Sequence, residues 1–212
     1  MFEVIPGVLE QNWGEIEKKL EALKTFSKSA HIDLIDGKFA PNTTFMDPKP
    51  FEKYSKDLFL ELHMMVDNPL QYLKPFADAG FKRFIGHIEK MPDISEFVAE
   101  GQILGEVGLA VDGPTDIKML DSVNLEDLDS ILIMTIKAGQ SGQTLMSEHL
   151  EKVKNLRDKI EFEHLRIEVD GGINDSTILQ ARDAGANRFI ATSFIWNSEN
   201  PAEAFKKLQT IV

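Results

Sequence analysis

The stretch His31-Ile32-Asp33-Leu34-Ile35-Asp36-Gly37 combines the apolar character of a buried strand with a histidine and an aspartate two positions apart. Because residues i and i+2 of a strand project to the same face, we expect His31 and Asp33 to lie side by side. Buried polar groups need a partner, and neutral imidazole and carboxylate are both good metal ligands. A structural hydrogen bond between the two side chains explains the pair equally well, so both interpretations stay open at this point.

The same alternation of apolar runs and helical spacing continues on both sides of this stretch. We expect strands at 4–9, 30–35, 58–66, 83–88, 106–111, 130–136, 165–169 and 188–192, and helices at 13–26, 50–55, 69–79, 93–100, 115–120, 148–160, 176–184 and 201–211. Strands separated by helices indicate parallel βαβ units. Eight such units predict an α/β protein of the (β/α)8 TIM-barrel class, with residues 1–212 as a single catalytic domain. An open doubly wound sheet is the alternative.

The composition argues against several classes of protein. A formal net charge of −12 disfavours binding to nucleic acid or to anionic membranes, since both need clustered lysine and arginine. There is no apolar run of about 18 residues, and residues 1–6 lack the features of a signal peptide. The absence of cysteine excludes disulfides and favours a reducing compartment. We therefore expect a cytoplasmic protein, in which any metal is held by histidine and carboxylate.

Polar side chains stand at the expected carboxyl ends of three strands, the end at which barrel enzymes place their chemistry. His31 and Asp33 lie on the second strand, His63 on the third and Asp170 on the seventh. His63 alone is more typical of a hydrogen-bonded core histidine, and Asp170 alone of a turn. At one height in one barrel, two histidines and two carboxylates could converge on one divalent ion, which favours the metal interpretation over four separate structural roles.

Three segments after the later strands are suited to a phosphate group. They are Ala138-Gly139-Gln140-Ser141-Gly142-Gln143, Gly171-Gly172 and Thr192-Ser193. Glycine lets backbone N–H groups approach an anion closely, and the loops after the last two strands commonly hold phosphate in barrels. Such a site uses local dipoles and is compatible with an acidic chain.

Taken in order, these motifs resemble the ribulose-phosphate 3-epimerase family. The matching segments are 31–42, 62–69, 87–89, 108–110, 134–136, 142–143 and 169–173, so the resemblance covers nearly the whole chain. It implies that His31, Asp33, His63 and Asp170 bind one divalent metal ion (Zn, Fe, Mn or Co), with Asp33 and Asp170 as the acid–base pair. It also implies a homo-oligomer and a phosphorylated sugar as substrate. The implied substrate-binding residues are Gly7, His63, Met65, Met134, Gly139, Gln140, Ser141, Gly142, Gly171, Gly172, Thr192 and Ser193.

The chemistry of that family agrees with the residues. Epimerisation beside a ketone removes the proton on carbon 3 and returns one to the opposite face of a planar enediolate. This needs one ionised and one protonated group, and two nearby carboxylates share a proton in this way. A metal would serve as Lewis acid for the ketone, and uncharged methionines would lie beside the reacting carbons. The expected reaction converts D-ribulose 5-phosphate to D-xylulose 5-phosphate in the pentose phosphate pathway.

Some substrate contacts depart from the pattern of that family. Gly7 stands where the family usually has serine, Thr192 where it has glycine, and Gln140-Ser141 where it has Phe-Gly. The alternatives are therefore a 3-epimerase of a ketohexose 6-phosphate such as allulose 6-phosphate, and a barrel that binds a sugar phosphate or metal without turnover. A lyase or decarboxylase is a further alternative, but Asp33 stands where their Asp-x-Lys-x-x-Asp segment has lysine.

Other titratable residues near the expected strands are interpreted as structural. Glu61 and Glu168 are expected to point into the barrel as buried, hydrogen-bonded groups. His87 and Glu89 are expected to support the site. Solvent exposure is expected for His149 and His164, near the two ends of the sixth helix.

Overall fold

Each strand of the sheet pairs in parallel with its neighbour in the chain, and the first strand also pairs with the last. The computed structural model describes residues 2–159 and 164–212. The strands are β1 (Glu3–Val8), β2 (Ser29–Ile35), β3 (Phe59–Met65), β4 (Arg83–His87), β5 (Glu106–Val111), β6 (Ser130–Met134), β7 (Arg166–Asp170) and β8 (Arg188–Ala191). Closure by β1 and β8 confirms the (β/α)8 barrel and excludes the open sheet.

Helices of two kinds surround the barrel. The α-helices are α1 (Trp13–Phe26), α2 (Leu70–Asp78), α3 (Ile94–Leu104), α4 (Leu150–Lys159), α5 (Ile178–Asp183), α6 (Ser193–Trp196) and α7 (Pro201–Ile211). The helices expected after β2 and β5 are present, and Lys49–Tyr54 and Ile117–Ser122 are 3₁₀ helices. Six residues gain little from cooperative i→i+4 bonding, so the tighter turn is competitive there.

Two further differences concern the later helices. The short helix α6 after β8 was not predicted. Residue 160, the expected last residue of the sixth helix, lies outside the described residues. Among the described residues, no helix has the length and apolar character needed to cross a bilayer.

The alternation of side chains along each strand produces two cores. Ile32 and Leu34 face outward, into the large apolar core that the strands share with the helices. The opposite face fills the barrel, where Met65, Ile85 and Leu132 belong to a smaller apolar cluster. Polar interior residues therefore occupy fixed heights, and the register sets Asp33 beside His63 and Met134 beside Asp170.

Candidate metal and acid–base site

Four side chains from β2, β3 and β7 meet inside the mouth of the barrel. They are His31, Asp33, His63 and Asp170, and their ligand atoms lie within 4.8 Å of one another. The Nδ1 atom of His63 lies 2.9 Å from Asp33 Oδ1 and 3.6 Å from Asp170 Oδ2. The Nε2 atom of His31 lies 3.4 Å from Asp33 Oδ1. All four residues are buried, and together they form a group that is able to hold a metal ion.

The orientation of His31 fits a cation in this cluster. Its Nδ1 atom donates to the carboxylate of Glu61, which also accepts a hydrogen bond from Arg83. Its buried Nε2 atom has no hydrogen-bond partner among the described residues. A carboxylate behind one ring nitrogen is the usual arrangement for a metal-binding histidine, because it fixes the tautomer and leaves the other nitrogen free. Burial acts to lower the pKa of His31, but the neighbouring carboxylates of Asp33 and Glu61 more than offset this and raise it.

His63 is oriented by a second hydrogen-bonded chain. Its Nε2 atom lies 3.0 Å from Nε2 of His87, and Nδ1 of His87 lies 3.0 Å from Glu89 Oε2. Burial lowers the pKa of His87, so the neutral ring donates to Glu89 through Nδ1 and accepts from His63 Nε2–H. The Nδ1 lone pair of His63 then faces Asp33 and Asp170. A cation bound here would satisfy both the imidazole lone pair and the carboxylates, and the donor set therefore fits a divalent metal.

The two carboxyl groups of the cluster differ in acidity. Burial acts to raise the pKa of Asp33, but the neighbouring imidazoles of His31 and His63 outweigh it and hold that pKa at about 2. Burial raises the pKa of Asp170 to about 6, and the charge of Asp33 adds to the effect. Asp33 is therefore the ionised member of the pair and Asp170 the readily protonated one, as proton removal and return require.

Charged residues deeper in the barrel are ion-paired. Glu61 is bound by Arg83, and Oε1 of Glu168 lies 3.0 Å from Nη1 of Arg188. Glu61 and Glu168 are fully buried, as the alternation of the strands predicts. Burial, followed by the charge of Glu61, raises the pKa of Glu168.

A small pocket opens beside Asp170 at the carboxyl ends of β6, β7 and β8. Six of the residues expected to bind substrate line it, and these are Ser141, Gly142, Gly171, Gly172, Thr192 and Ser193. Gly142 and Gly172 have φ angles of 84° and 69°, in the left-handed region that favours glycine. A Cβ atom on Gly172 would also collide with the backbone of Leu145, whereas a Cβ atom on Gly142 would meet only Ser193 Cβ, at an ordinary contact distance of 4.0 Å.

This contrast predicts different results for two alanine substitutions. We expect Gly172→Ala to lower the free energy of unfolding by about 3 kcal/mol, since left-handed strain and a backbone collision add together. Gly142→Ala shares only the strain and should cost about 1 kcal/mol. Urea denaturation of both variants measures the difference. Equal losses would show that Leu145 does not restrict the space above Gly172.

The remaining residues of the expected substrate site lie elsewhere. The carbonyl of Gly139 accepts a hydrogen bond from Asn42 Nδ2 at 3.1 Å, and the carbonyl of Gln140 accepts one from Gln143 Nε2 at 2.7 Å. Gly139 and Gln140 thus line a separate surface depression with Asn42. Gly7 lies on β1, in register with His31 of β2. Their contact with substrate stays a prediction.

Met65 and Met134 lie in the small apolar cluster inside the barrel, next to the four-residue group in sequence and register. Both are almost completely buried. Met134 is paired in register with Asp170, while Met65 follows His63 on the same face of β3. They are apolar neighbours of the site, and their contact with reacting carbons stays a prediction.

The sequence did not reveal the residues that brace the turn after β7. The Thr135 hydroxyl donates to the carbonyls of Asp170 and Gly171, at 3.1 and 2.7 Å. The carbonyl of Gly172 accepts from Thr177 Oγ1 at 2.7 Å and from Asn174 Nδ2 at 3.1 Å. The hydroxyl of a threonine at the end of an otherwise apolar strand was the available signal for the first contact.

The expected solvent exposure of His149 is wrong. Its Nδ1 atom lies 3.1 Å from the carbonyl oxygen of Met134, and its ring occupies the space beside Gly113. The 3₁₀ turn Ser147–His149 brings the ring back against the end of β6. His164 is exposed.

The whole chain is similar to known proteins. A family model described as the ribulose-phosphate 3 epimerase family matches residues 3–196. The chain belongs to this family.

Three ribulose-phosphate 3-epimerases are among its relatives. That of Schizosaccharomyces pombe is 32% identical, with the match covering 99% of this chain and 93% of the relative. The cytoplasmic isoform of Oryza sativa is 34% identical, covering 99% and 94%. That of Chlamydia pneumoniae is 35% identical, covering 87% and 82%.

Solved structures support the fold of this ribulose-phosphate 3-epimerase family member. KGPDC from Streptococcus mutans superposes with a TM-score of 0.74 at 14% identity, covering 100% of this chain and 97% of that one. The 3-hexulose-6-phosphate synthase from Salmonella typhimurium superposes with a TM-score of 0.73 at 14% identity, covering 99% and 97%. The family membership makes the chain an epimerase, of the isomerase class, that acts on a phosphorylated sugar.

Proposed function

We propose that this epimerase interconverts D-ribulose 5-phosphate and D-xylulose 5-phosphate, with Asp33 and Asp170 as the catalytic acid–base pair. The observation that carries the proposal is the pair itself, two buried carboxyl groups beside one imidazole with opposite shifts of pKa. Membership of the ribulose-phosphate 3 epimerase family supports the choice of substrate.

The Asp33 carboxylate accepts the proton from carbon 3 on one face of the sugar, and the Asp170 carboxylic acid supplies a proton to the other face. The reverse reaction exchanges the two roles. Burial of both groups keeps bulk water from the planar intermediate and stabilises the protonated form of Asp170. His63 lies within 3.6 Å of both carboxylates and restricts their rotation. Proton transfer by positioned groups of this kind contributes about 10²–10⁴-fold to the rate.

His31, Asp33, His63 and Asp170 would hold one divalent ion, which supplies a Lewis acid for the ketone when bound. The unpartnered Nε2 of His31 supports this ligand set. Two nitrogens and two carboxylates suit Zn, Fe, Mn or Co. The ligand nitrogens must be free of protons, so the affinity for metal falls as the pH is lowered.

The pocket beside Asp170 would receive the phosphate group. Backbone N–H groups near Gly142, Gly172 and Ser193 are the donors that this pocket offers to an anion. The pocket contains no lysine or arginine among the described residues that line it.

We also propose one catalytic domain over residues 1–212, a cytoplasmic location and a homo-oligomer. The continuous barrel supports the single domain.

Proton NMR in deuterated water tests the proposed reaction. The purified protein is incubated with ribulose 5-phosphate and one divalent metal at a time. We expect loss of the carbon-3 proton signal together with appearance of xylulose 5-phosphate. Turnover of allulose 6-phosphate alone would move the assignment to ketohexose phosphates, and binding of both sugars without turnover would contradict an epimerase.

Removal of metal should stop epimerisation and lower stability. A chelated sample is expected to lose activity and to recover it with one of the four metals. At about 100 times Kd, metal should raise the free energy of unfolding by about 2.7 kcal/mol. His31→Gln is expected to lack this metal-dependent increment, whereas the exposed control His164→Gln keeps it. Thermal unfolding with and without metal measures both. An unchanged increment in His31→Gln would remove His31 from the ligand set.

A further inference from the structure

Gly7 and Thr192 lie at the carboxyl ends of the adjacent strands β1 and β8, and they share one side-chain space. The register pairs Pro6 with Ala191, so the next residues on the two strands are neighbours at the barrel mouth. A Cβ atom on residue 7 would overlap Thr192 Oγ1 and would lie 3.3 Å from Ile190 Cγ2. The hydroxyl of Thr192 therefore fills the place that a side chain on residue 7 would take.

Space, and not backbone conformation, explains the glycine at position 7. Gly7 lies within β1 and does not have a positive φ angle, so other residues can adopt its backbone. Its carbonyl accepts a hydrogen bond from Trp196 Nε1 at 2.6 Å, which holds the strand end against α6. With the backbone held in place, a side chain on residue 7 would displace the Thr192 hydroxyl.

The Thr192 hydroxyl is available to a ligand. Thr192 occupies the N-cap position of α6, where threonine often accepts a hydrogen bond from the helix backbone, but its side chain makes no such bond. Within residues 2–159 and 164–212, no protein group forms a hydrogen bond with this hydroxyl. The residue is half-buried and lines the pocket with Asp170 and Ser193. A hydroxyl directed into a pocket without a protein partner can donate to, or accept from, a bound oxygen.

The position of the hydroxyl indicates which part of the substrate it meets. On one side, Gly7 is in register with the cluster residue His31. On the other, Ser193 approaches Gly142, with Ser193 Cβ 4.0 Å from the position of a Cβ on that glycine. Thr192 thus stands between the acid–base cluster and the glycine-lined pocket. In a sugar phosphate that spans the two, this is the region of the carbon chain.

We propose that the Thr192 hydroxyl hydrogen-bonds an oxygen on the carbon chain of the sugar phosphate, and that Gly7 is paired with it to leave room. This assignment rests on the proposed function, because it needs a phosphorylated sugar in the site. Residues 7 and 192 then determine specificity together. Thr192 supplies the hydroxyl, and Gly7 leaves the space that this hydroxyl occupies.

Two substitutions at position 192 test the contact. Thr192→Val keeps the shape and removes the hydroxyl, and it should raise KM for ribulose 5-phosphate about three- to tenfold, with the effect on KM and not on kcat. Thr192→Ser restores the hydroxyl without the methyl group and should recover most of the lost affinity. The exposed Thr210→Val is the control for the same change outside the site. A wild-type KM in Thr192→Val would overturn the proposal.

Competition by inorganic phosphate separates the carbon chain from the phosphate group. We expect the inhibition constant of phosphate to be the same for the wild-type protein and Thr192→Val. A parallel weakening of phosphate and substrate would place the hydroxyl in the phosphate site and overturn the assignment. If the wild-type protein does not turn over the sugar, the proposed function fails. The hydroxyl contact is then still tested by calorimetric binding of the same sugar phosphate to the wild-type protein and to Thr192→Val.

The pairing is tested by exchanging the two residues. Gly7→Ser alone should weaken binding, since the new side chain collides with Thr192. Thr192→Gly alone should also weaken it, through loss of the hydroxyl. The double variant Gly7→Ser/Thr192→Gly moves the hydroxyl to the adjacent strand, and we expect its KM to be lower than that of either single variant. Additive losses would overturn the pairing. Melting temperatures identify any variant that fails to fold. The comparison of Thr192→Val with Thr192→Ser tests the hydroxyl contact even if a variant at position 7 does not fold.

Discussion

Replacing either Asp33 or Asp170 by asparagine is expected to abolish epimerisation, with a loss of at least about 10³-fold in kcat. Asparagine keeps the shape of the side chain but neither accepts nor returns a proton at carbon 3. Since each carboxyl group serves one face of the sugar, each variant should at most exchange the carbon-3 proton of one epimer with solvent. The two variants should do so with opposite epimers. Proton NMR in deuterated water, started from each sugar in turn, measures the exchange.

The control for these variants is Asp175→Asn. Asp175 follows β7 closely but forms an ion pair with Lys207 instead of entering the cluster. Its replacement should leave turnover near the wild-type rate. Metal content is measured for every variant, because Asp33 and Asp170 are proposed as ligands as well as acid–base groups. Full epimerisation by either Asn variant would remove that residue from the catalytic pair.

Replacing Arg83 by methionine is expected to lower the free energy of unfolding by about 3–5 kcal/mol at neutral pH. Arg83 is 4% exposed and Glu61 is 0% exposed, so the substitution leaves a buried carboxylate without its main positive partner. By contrast, Lys74 forms an exposed ion pair with Asp78, and Lys74→Met should change stability by less than about 1 kcal/mol. Urea denaturation followed by circular dichroism compares the two.

The loss in Arg83→Met should depend on pH in a defined direction. Burial acts to raise the pKa of Glu61, but the charge of Arg83 and then the hydrogen bond with His31 lower it below its ordinary value of 4.5. A depressed carboxyl pKa contributes stability above the unfolded value and loses it as the pH falls through the folded value. The difference in free energy of unfolding between the wild-type protein and Arg83→Met should therefore become smaller below pH 4.5. A difference that grows on acidification would contradict the Arg83–Glu61 ion pair. The double variant Glu61→Gln/Arg83→Met should lose less free energy of unfolding than the sum of the losses in the two single variants.

The strands could be predicted because each is an apolar segment bounded by turn residues, and their number and helical spacing determine the barrel. The 3₁₀ helices Lys49–Tyr54 and Ile117–Ser122 could not be separated from α-helices, since six residues contain too few turns for periodicity to distinguish the two. Tertiary packing decides such short segments.

Within the site, the residue types were predictable and the contacts between strands were not. Alternation places Arg83 and His87 on one face of β4, but their partners depend on register, which sets Ile85 beside His63. Gly7 and Thr192 appeared as two separate departures from the family pattern at opposite ends of the chain. Only closure of the barrel by β1 and β8 makes them neighbours.

The hydrogen-bonded chain from His31 through Glu61 and Arg83 reaches Glu106, whose carboxylate lies 2.7 Å from Nη2 of Arg83. Glu106 is the first residue of β5 and is partly open to solvent at the amino-terminal rim. In barrels of this class that rim is ordinarily associated with stability alone. Here a rim carboxylate is connected through Arg83 and Glu61 to His31, a member of the four-residue cluster inside the barrel. The two ends of this barrel are therefore physically connected, and we expect a charge change at Glu106 to reach His31 through Arg83 and Glu61.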